Sequence, residues 1–186
     1  MNNAGIIIQD VEATIQCDFG TTGYAGLAKY YSFPLTYNFC GRFQSNVAEL
    51  LKRAVCTDLA TQITYIPNLR NAFEYAQACQ TQGKKTRVLF FEVDAPTILW
   101  EGEIPTTLLL GYEFAYNNYS DPEFIYLLAN EPSLMRFRNQ LNQYGLFESR
   151  SKAEEFGKTL YTLYPYLEEE MPFAETFVFE IREVSF

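Results

Sequence analysis

The segment Thr86–Asp94 constrains the fold more than any other stretch of the chain. It reads Thr-Arg-Val-Leu-Phe-Phe-Glu-Val-Asp, β-prone and apolar on both faces. A strand with one solvated face alternates apolar and polar residues. One that is apolar on both faces must be covered on both, which suggests a central position in a sheet. A second strand follows from Thr176–Val184, where Phe177, Phe179 and Ile181 share one face and Glu180 and Arg182 the other.

Around these two, the remaining elements are read from period and punctuation. Residues 6–17 alternate weakly, with Ile7, Val11, Ala13, Ile15 and Cys17 on one side, as in a strand with Gln9 also facing inward. Thr97–Ile104 is expected to be a strand neighbouring 86–94, and Leu108–Phe114 a third strand. Residues 45–60 carry Val47, Leu50, Leu51, Ala54, Val55 and Leu59 at the helical period, with Ser45 as cap. Asn68 caps a second helix with Leu69, Ala72, Phe73, Ala76 and Cys79 on one face, ending near Gly83. Ser120-Asp121-Pro122-Glu123 opens a helix to about Asn130. Pro132 and Ser133 start another, with Leu134, Phe137 and Leu141 aligned; Gly145 is expected to stop it in a Schellman turn that brings Leu146 onto Leu141. Ser151 and Glu154 form a capping box for a helix carrying Ala153, Phe156, Leu160 and Tyr164 up to Pro165. Residues 17–44 read as an irregular Gly/Tyr-rich region, and Gly20, Gly23 and Gly26 lie in a loop-like context. Strands and helices come in blocks. The expected fold class is therefore α+β: a single domain over residues 1–186, with a mixed or antiparallel sheet of about four to five strands and about five helices.

Charge bears on partners. The 186 residues carry a formal net charge of −9, unevenly distributed. Residues 1–111 hold 10 acids and 8 bases, a net of −2; residues 112–186 hold 13 acids and 6 bases, a net of −7. Nucleic-acid affinity comes mainly from Lys and Arg on phosphates, so a nucleic-acid partner is not expected. Anionic membrane surfaces are disfavoured for the same reason. An acidic face suits a basic protein partner, and it also serves solubility. The N-terminal stretch has no basic n-region and its apolar run is too short for a signal peptide; no apolar stretch approaches the ~20 residues of a membrane span. A cytoplasmic location is the expectation. Cys17, Cys40, Cys56 and Cys79 form no C-x-x-C pair and read as reduced thiols, Cys56 and Cys79 at core-like helical positions; a disulfide pair stays open.

The chain has no histidine. This removes Ser-His-Asp and Cys-His nucleophile systems, H-E-x-x-H metal sites and any histidine base. Gly20-x-x-Gly23-x-x-Gly26 matches no phosphate-binding loop. Neither a cofactor nor a metal is expected, and no catalytic residue is assigned. Carboxylate pairs remain: Glu92 and Asp94 flank Val93, and Glu101 and Glu103 flank Gly102 beside Trp100, the only tryptophan. Such pairs can serve glycoside hydrolysis or Mg²⁺ binding, and they equally suit a solvated strand edge. Glu168-Glu169-Glu170 would oppose the dipole at the end of the preceding helix, so a loop is expected there. Tyr112, Tyr116 and Tyr119 around Asn117 and Asn118 have the composition of a recognition surface, or of a tyrosine belt over the core.

Three elements carry a resemblance: Leu110-Gly111-Tyr112-Glu113, then Leu141-Asn142-Gln143-Tyr144-Gly145-Leu146-Phe147, then Ala153 and Phe156 ahead of a closing Phe-rich strand. Over about residues 110–186 these are similar to small uncharacterised bacterial proteins of the immunity or toxin-neighbourhood type, which carry LGYD-like, LNxxGLF and Ala-x-x-Phe elements. Glu113 stands where Asp is usual. No catalytic residue carries over from the resemblance. The expected function is thus a small acidic protein-binding module, such as an immunity protein or phage-type inhibitor, with Tyr112, Tyr116, Tyr119, Glu148, Glu154, Glu155, Glu168, Glu169 and Glu170 as candidate binding residues. The alternative is a small enzyme or nucleotide-binding domain, for example ADP-ribosyltransferase-like, drawing on Arg42, Tyr75 and Glu113.

Overall fold

The computed structural model describes residues 3–10, 55–61, 63–83, 85–95, 97–116 and 122–185. In chain order these form β1 (Ala4–Asp10), β2 (Cys56–Thr57), β3 (Thr64–Tyr65), α1 (Leu69–Gln80), β4 (Thr86–Val93), β5 (Thr107–Tyr116), α2 (Pro122–Asn130), α3 (Met135–Arg138), α4 (Arg150–Leu163), α5 (Leu167–Glu170) and β6 (Thr176–Val184). Four strands make an antiparallel sheet in the order β1-β4-β6-β5, and β2 and β3 form a small ribbon. The fold is α+β.

Strand β4 is central, as its two apolar faces require, with β1 on one side and β6 on the other. Its odd positions Leu89, Phe91 and Val93 join Ile7, Phe179 and Ile181 on one face of the sheet. Its even positions Val88 and Phe90 join Ile6, Ile8 and Val184 on the other, under Ala72, Tyr75, Ala76 and Cys79 of α1. The helices α2–α5 cover that same face at its other end, around Phe114 of β5 and Val178 of β6. Phe114 is the hub of this second layer: Phe124, Phe156, Tyr161 and Phe173 all have ring centroids within 6.3 Å of its own. Packing so close is possible because α4 presents Gly157 there. A Cβ at this position would lie 2.3 Å from the Phe114 ring.

Several expected elements change identity, each for a local reason. Thr97–Ile104 is not a strand: β1 and β6 already occupy both ladders of β4, so no partner is left for it. Instead the Glu101 amide donates to the Pro67 carbonyl (2.8 Å) and Trp100 packs edge-to-face on Phe90. The expected 45–60 helix does not extend through its last residues, because Cys56 and Thr57 pair with Tyr65 and Thr64 in the ribbon. Cys56 is therefore exposed, whereas Cys79 is buried in α1 as expected. Its capping residue Asn68 accepts from the Asn71 amide at 2.9 Å. The helix cap at the start of α4 is Ser149 rather than Ser151, accepting from the Lys152 amide. Residues 11–54, with the second half of the first strand, the glycine loop and Cys17 and Cys40, lie outside the described residues, as do Ser120 and Asp121.

The 141–147 element is the most instructive correction. The helix after Pro132 stops at Arg138, and Leu141 and Phe147 face each other across a tight loop. Gly145 does adopt the left-handed conformation (φ 70°), but inside this loop and not as a helix stop. Asn142 holds the loop together: its Oδ1 accepts from the Tyr144 and Leu146 amides at 2.8 and 3.2 Å, while its Nδ2 donates to the Leu110 carbonyl at 2.7 Å. Tyr112 and Phe147 exchange both backbone bonds (2.8 and 2.9 Å). The Leu110–Glu113 and Leu141–Phe147 motifs are thus two halves of one device that covers an open strand edge, the part of a sheet most prone to pair with other chains.

Two outcomes follow. Gly157→Ala gains about 1 kcal/mol of helix propensity but forces a methyl into a ring locked among four others, at about 1–3 kcal/mol; the denaturant midpoint should fall. The second concerns Asp58, which ties the β2–β3 turn to the loop after β4 by accepting from the Thr61 amide (2.9 Å), the Thr61 hydroxyl and the Thr97 hydroxyl (2.8 Å). Partial burial would raise its pKa, but these hydrogen bonds outweigh burial and hold it below the usual carboxylate range. A carboxyl with a lowered folded pKa stabilises above its unfolded value of ~3.9 and loses that contribution as pH falls through the folded value. Asp58→Ala should therefore destabilise at pH 7, and thermal melts of the two proteins should converge as pH drops below about 4.

Candidate functional site

The acidic C-terminal segment is built on α4 and α5. Helix α4 buries Ala153, Phe156, Gly157 and Leu160, which leaves its opposite side to solvent. Glu155 is exposed there and pairs with Arg136 at 3.3 Å; Glu148, just before the helix, pairs with Lys152 at 3.2 Å. Glu154 is half-buried on the same helix. The chain breaks at Tyr164-Pro165 and starts a new helical turn, so Glu168, Glu169 and Glu170 lie in the first turn of α5 and not in a loop. A first turn favours negative charge, whereas the end of α4 would have opposed it. Glu168 accepts from the Phe173 amide at 3.1 Å. The Glu169 and Glu170 side chains are exposed, with no hydrogen-bond or ion-pair partner among the described residues.

Beside these acids lies an apolar surface that the sequence reading did not single out. Leu163 and Tyr166 are 45% and 47% exposed. Tyr164 packs edge-on against Tyr166 (6.2 Å), and its hydroxyl meets Ser133 Oγ at 3.0 Å. Leu163 stands one helical turn beyond Thr159, which accepts from Arg136 at 3.4 Å, so the start of α3 and the end of α4 share this face. The signal was present in Leu163-Tyr164-Pro165-Tyr166, but a helical period alone does not show which apolar residues the bend leaves outside.

The candidate tyrosines are not brought together as a recognition loop. Tyr112 and Tyr116 both sit on β5, half-buried against the helical layer, and Tyr119 lies outside the described residues. Tyr116 donates to Glu175 at 2.9 Å. Tyr112 faces Glu180 across the β5–β6 ladder, and Glu180 faces Glu92 across β6–β4. This row of Glu92, Glu180 and Tyr112 crosses the sheet between the two apolar clusters. Burial, then the adjacent Glu180 carboxylate, push the Tyr112 phenol up, so it stays protonated and hydrogen-bonds Glu180. Arg182 pairs with the same carboxylate, which leaves Glu92 opposite a like charge with no partner of its own among the described residues.

Of the carboxylate pairs, Asp94 is exposed beyond the end of β4 and does not share the Glu92 row. Glu101 and Glu103 instead edge an open cleft of about 530 Å³ at the start of α1, with Trp100, Asn68, Arg70 and Glu74. Tyr75 and Glu113 cannot serve one site. Tyr75 is buried on α1 against one face of the sheet, whereas Glu113 opposes Phe179, on the other face; Arg42 lies outside the described residues. No group of three metal-ligating side chains occurs among the described residues. Exposed Cys56 has its thiol pushed up by partial burial and then by Glu101, which works against a thiolate.

Like charges directly opposite on neighbouring strands destabilise by roughly 0.2–1 kcal/mol. Glu92→Gln should therefore raise the unfolding midpoint at low ionic strength, and the gain should shrink in 1 M salt.

Compared with known protein families, with curated proteins and with solved structures, the chain matches none.

Proposed function

We propose that this chain is a small acidic protein-binding module whose partner presents a basic surface, in the manner of an immunity protein or a phage-type inhibitor acting in the cytoplasm. The observation that carries this reading is the α4–α5 face. The exposed carboxylates of Glu168, Glu169 and Glu170 follow exposed Leu163 and Tyr166 along the chain, across the bend at Pro165. Interfaces combine an aromatic or aliphatic centre with a polar rim, and unpaired rim charges steer encounter with a partner of opposite sign. The net −7 of residues 112–186 extends that field. The resemblance of residues 110–186 to immunity-type proteins points the same way. Two features weigh against a carboxylate enzyme: Tyr75 and Glu113 lie on opposite faces of the sheet, and the Glu180 carboxylate is already engaged by Arg182 and Tyr112.

The test starts with a pull-down from the native host, followed by association kinetics of the captured partner. Replacing Glu168, Glu169 and Glu170 by lysine should slow association at low salt. The difference should fade as the Debye length drops from ~10 Å at 0.1 M to ~3 Å at 1 M. Tyr166→Ala should act mainly on dissociation. An association rate indifferent to the reversal at low salt would rule out steering by this face.

A further inference from the structure

The cleft at the start of α1 has the chemistry of a receptor for one kind of side chain. Trp100 lines it, held from behind by Phe90 in an edge-to-face contact with centroids 5.2 Å apart. The indole N–H is satisfied by the Glu103 carbonyl at 3.1 Å, so the ring is fixed in place without using any carboxylate. Three carboxylates stand around it. Glu74 is engaged by Arg70 at 3.1 Å and Glu101 accepts from Asn68 at 3.1 Å, each with an oxygen to spare, while the exposed Glu103 carboxylate has no partner among the described residues. The cleft therefore carries a net charge of −2 beside an immobilised indole, in a volume of about 530 Å³. Ligand clefts typically span ~300–1,000 Å³.

A planar cation satisfies all of this at once. A guanidinium stacks on an indole and offers two parallel N–H donors to a carboxylate, whereas an ammonium is a compact, strongly hydrated point charge. We propose that this cleft binds an arginine side chain of a basic protein segment, stacked on Trp100 and forked to Glu103, with Glu101 as the second acceptor. This rests on the reading of the chain as a binder of basic proteins and adds to it a second, residue-selective contact, distinct from α5.

Trp100 is the chain's only tryptophan, so its fluorescence reports this cleft alone. The intact protein is titrated at low salt with tetra-arginine, tetra-lysine and tetra-glycine peptides. Tetra-arginine should give a saturable change, tetra-lysine a clearly weaker one and tetra-glycine none. Glu103→Gln keeps the backbone carbonyl that holds the indole, and Glu101→Gln keeps an oxygen for Asn68. Each should weaken tetra-arginine by about tenfold, the scale of one charge-assisted pair on a partly desolvated ring. Lysine substitution of Glu168, Glu169 and Glu170 should leave the titration unchanged. No saturable change, equal affinity for lysine, or indifference to both glutamine variants would overturn the cleft. Loss of the signal on substituting α5 would do the same while leaving the proposed function standing. A working titration with no basic partner in the pull-down would leave the cleft standing and overturn that reading.

Discussion

The sheet exists as one body because its last strand inserts between two earlier ones. Strand β6 pairs with β4 along one edge and with β5 along the other. Without it, β1 and β4 would form a two-stranded pair and β5 would have no sheet to join. Both helical clusters depend on this insertion, because Val184 packs under α1 while Val178 packs under α4. Nearly all the pairing is between segments far apart in sequence, so loop closure has to be met before these contacts stabilise anything.

Completing the sheet from the middle leaves β5 as an edge, and the edge is managed rather than left open. Asn142 closes a loop on itself and on the Leu110 carbonyl, and Phe147 occupies the Tyr112 backbone groups. The Leu110–Glu113 and Leu141–Phe147 motifs are therefore accounted for by edge protection. They explain why these residues stand where they do without requiring that they touch a partner. The surfaces proposed to meet a partner lie elsewhere: the first turn of α5 and the cleft at the start of α1. Each combines exposed carboxylates with an apolar or aromatic surface.

Helices and strands with strong periods were legible in advance. α2 from Pro122 to Asn130, the two-faced β4 and the alternating β6 stand within a residue of their expected bounds, and α1 starts at its expected Asn68 cap but ends at Gln80, short of Gly83. Two of the differences come from competition for partners. Thr97–Ile104 has a strand-like composition but no free ladder on β4, and Cys56 has a helical spacing but pairs with Tyr65. Glu168–Glu170 differ for another reason: Pro165 separates them from the helix that precedes them, and a new turn begins.

The sequence by itself determined which strand must be covered on both faces, where α1 and α2 begin, the sign and asymmetry of the charge, and the absence of histidine chemistry. These follow from local propensity and composition, which act without reference to the rest of the chain. Tertiary structure alone decided which faces are shared. It set Glu92 opposite Glu180, turned Leu163 and Tyr166 outward beside the α5 acids, and brought Trp100 to the start of α1. Each of these depends on strand register or on a bend between elements. A register shift of one residue sends every side chain to the opposite face, and no local pattern contains that information.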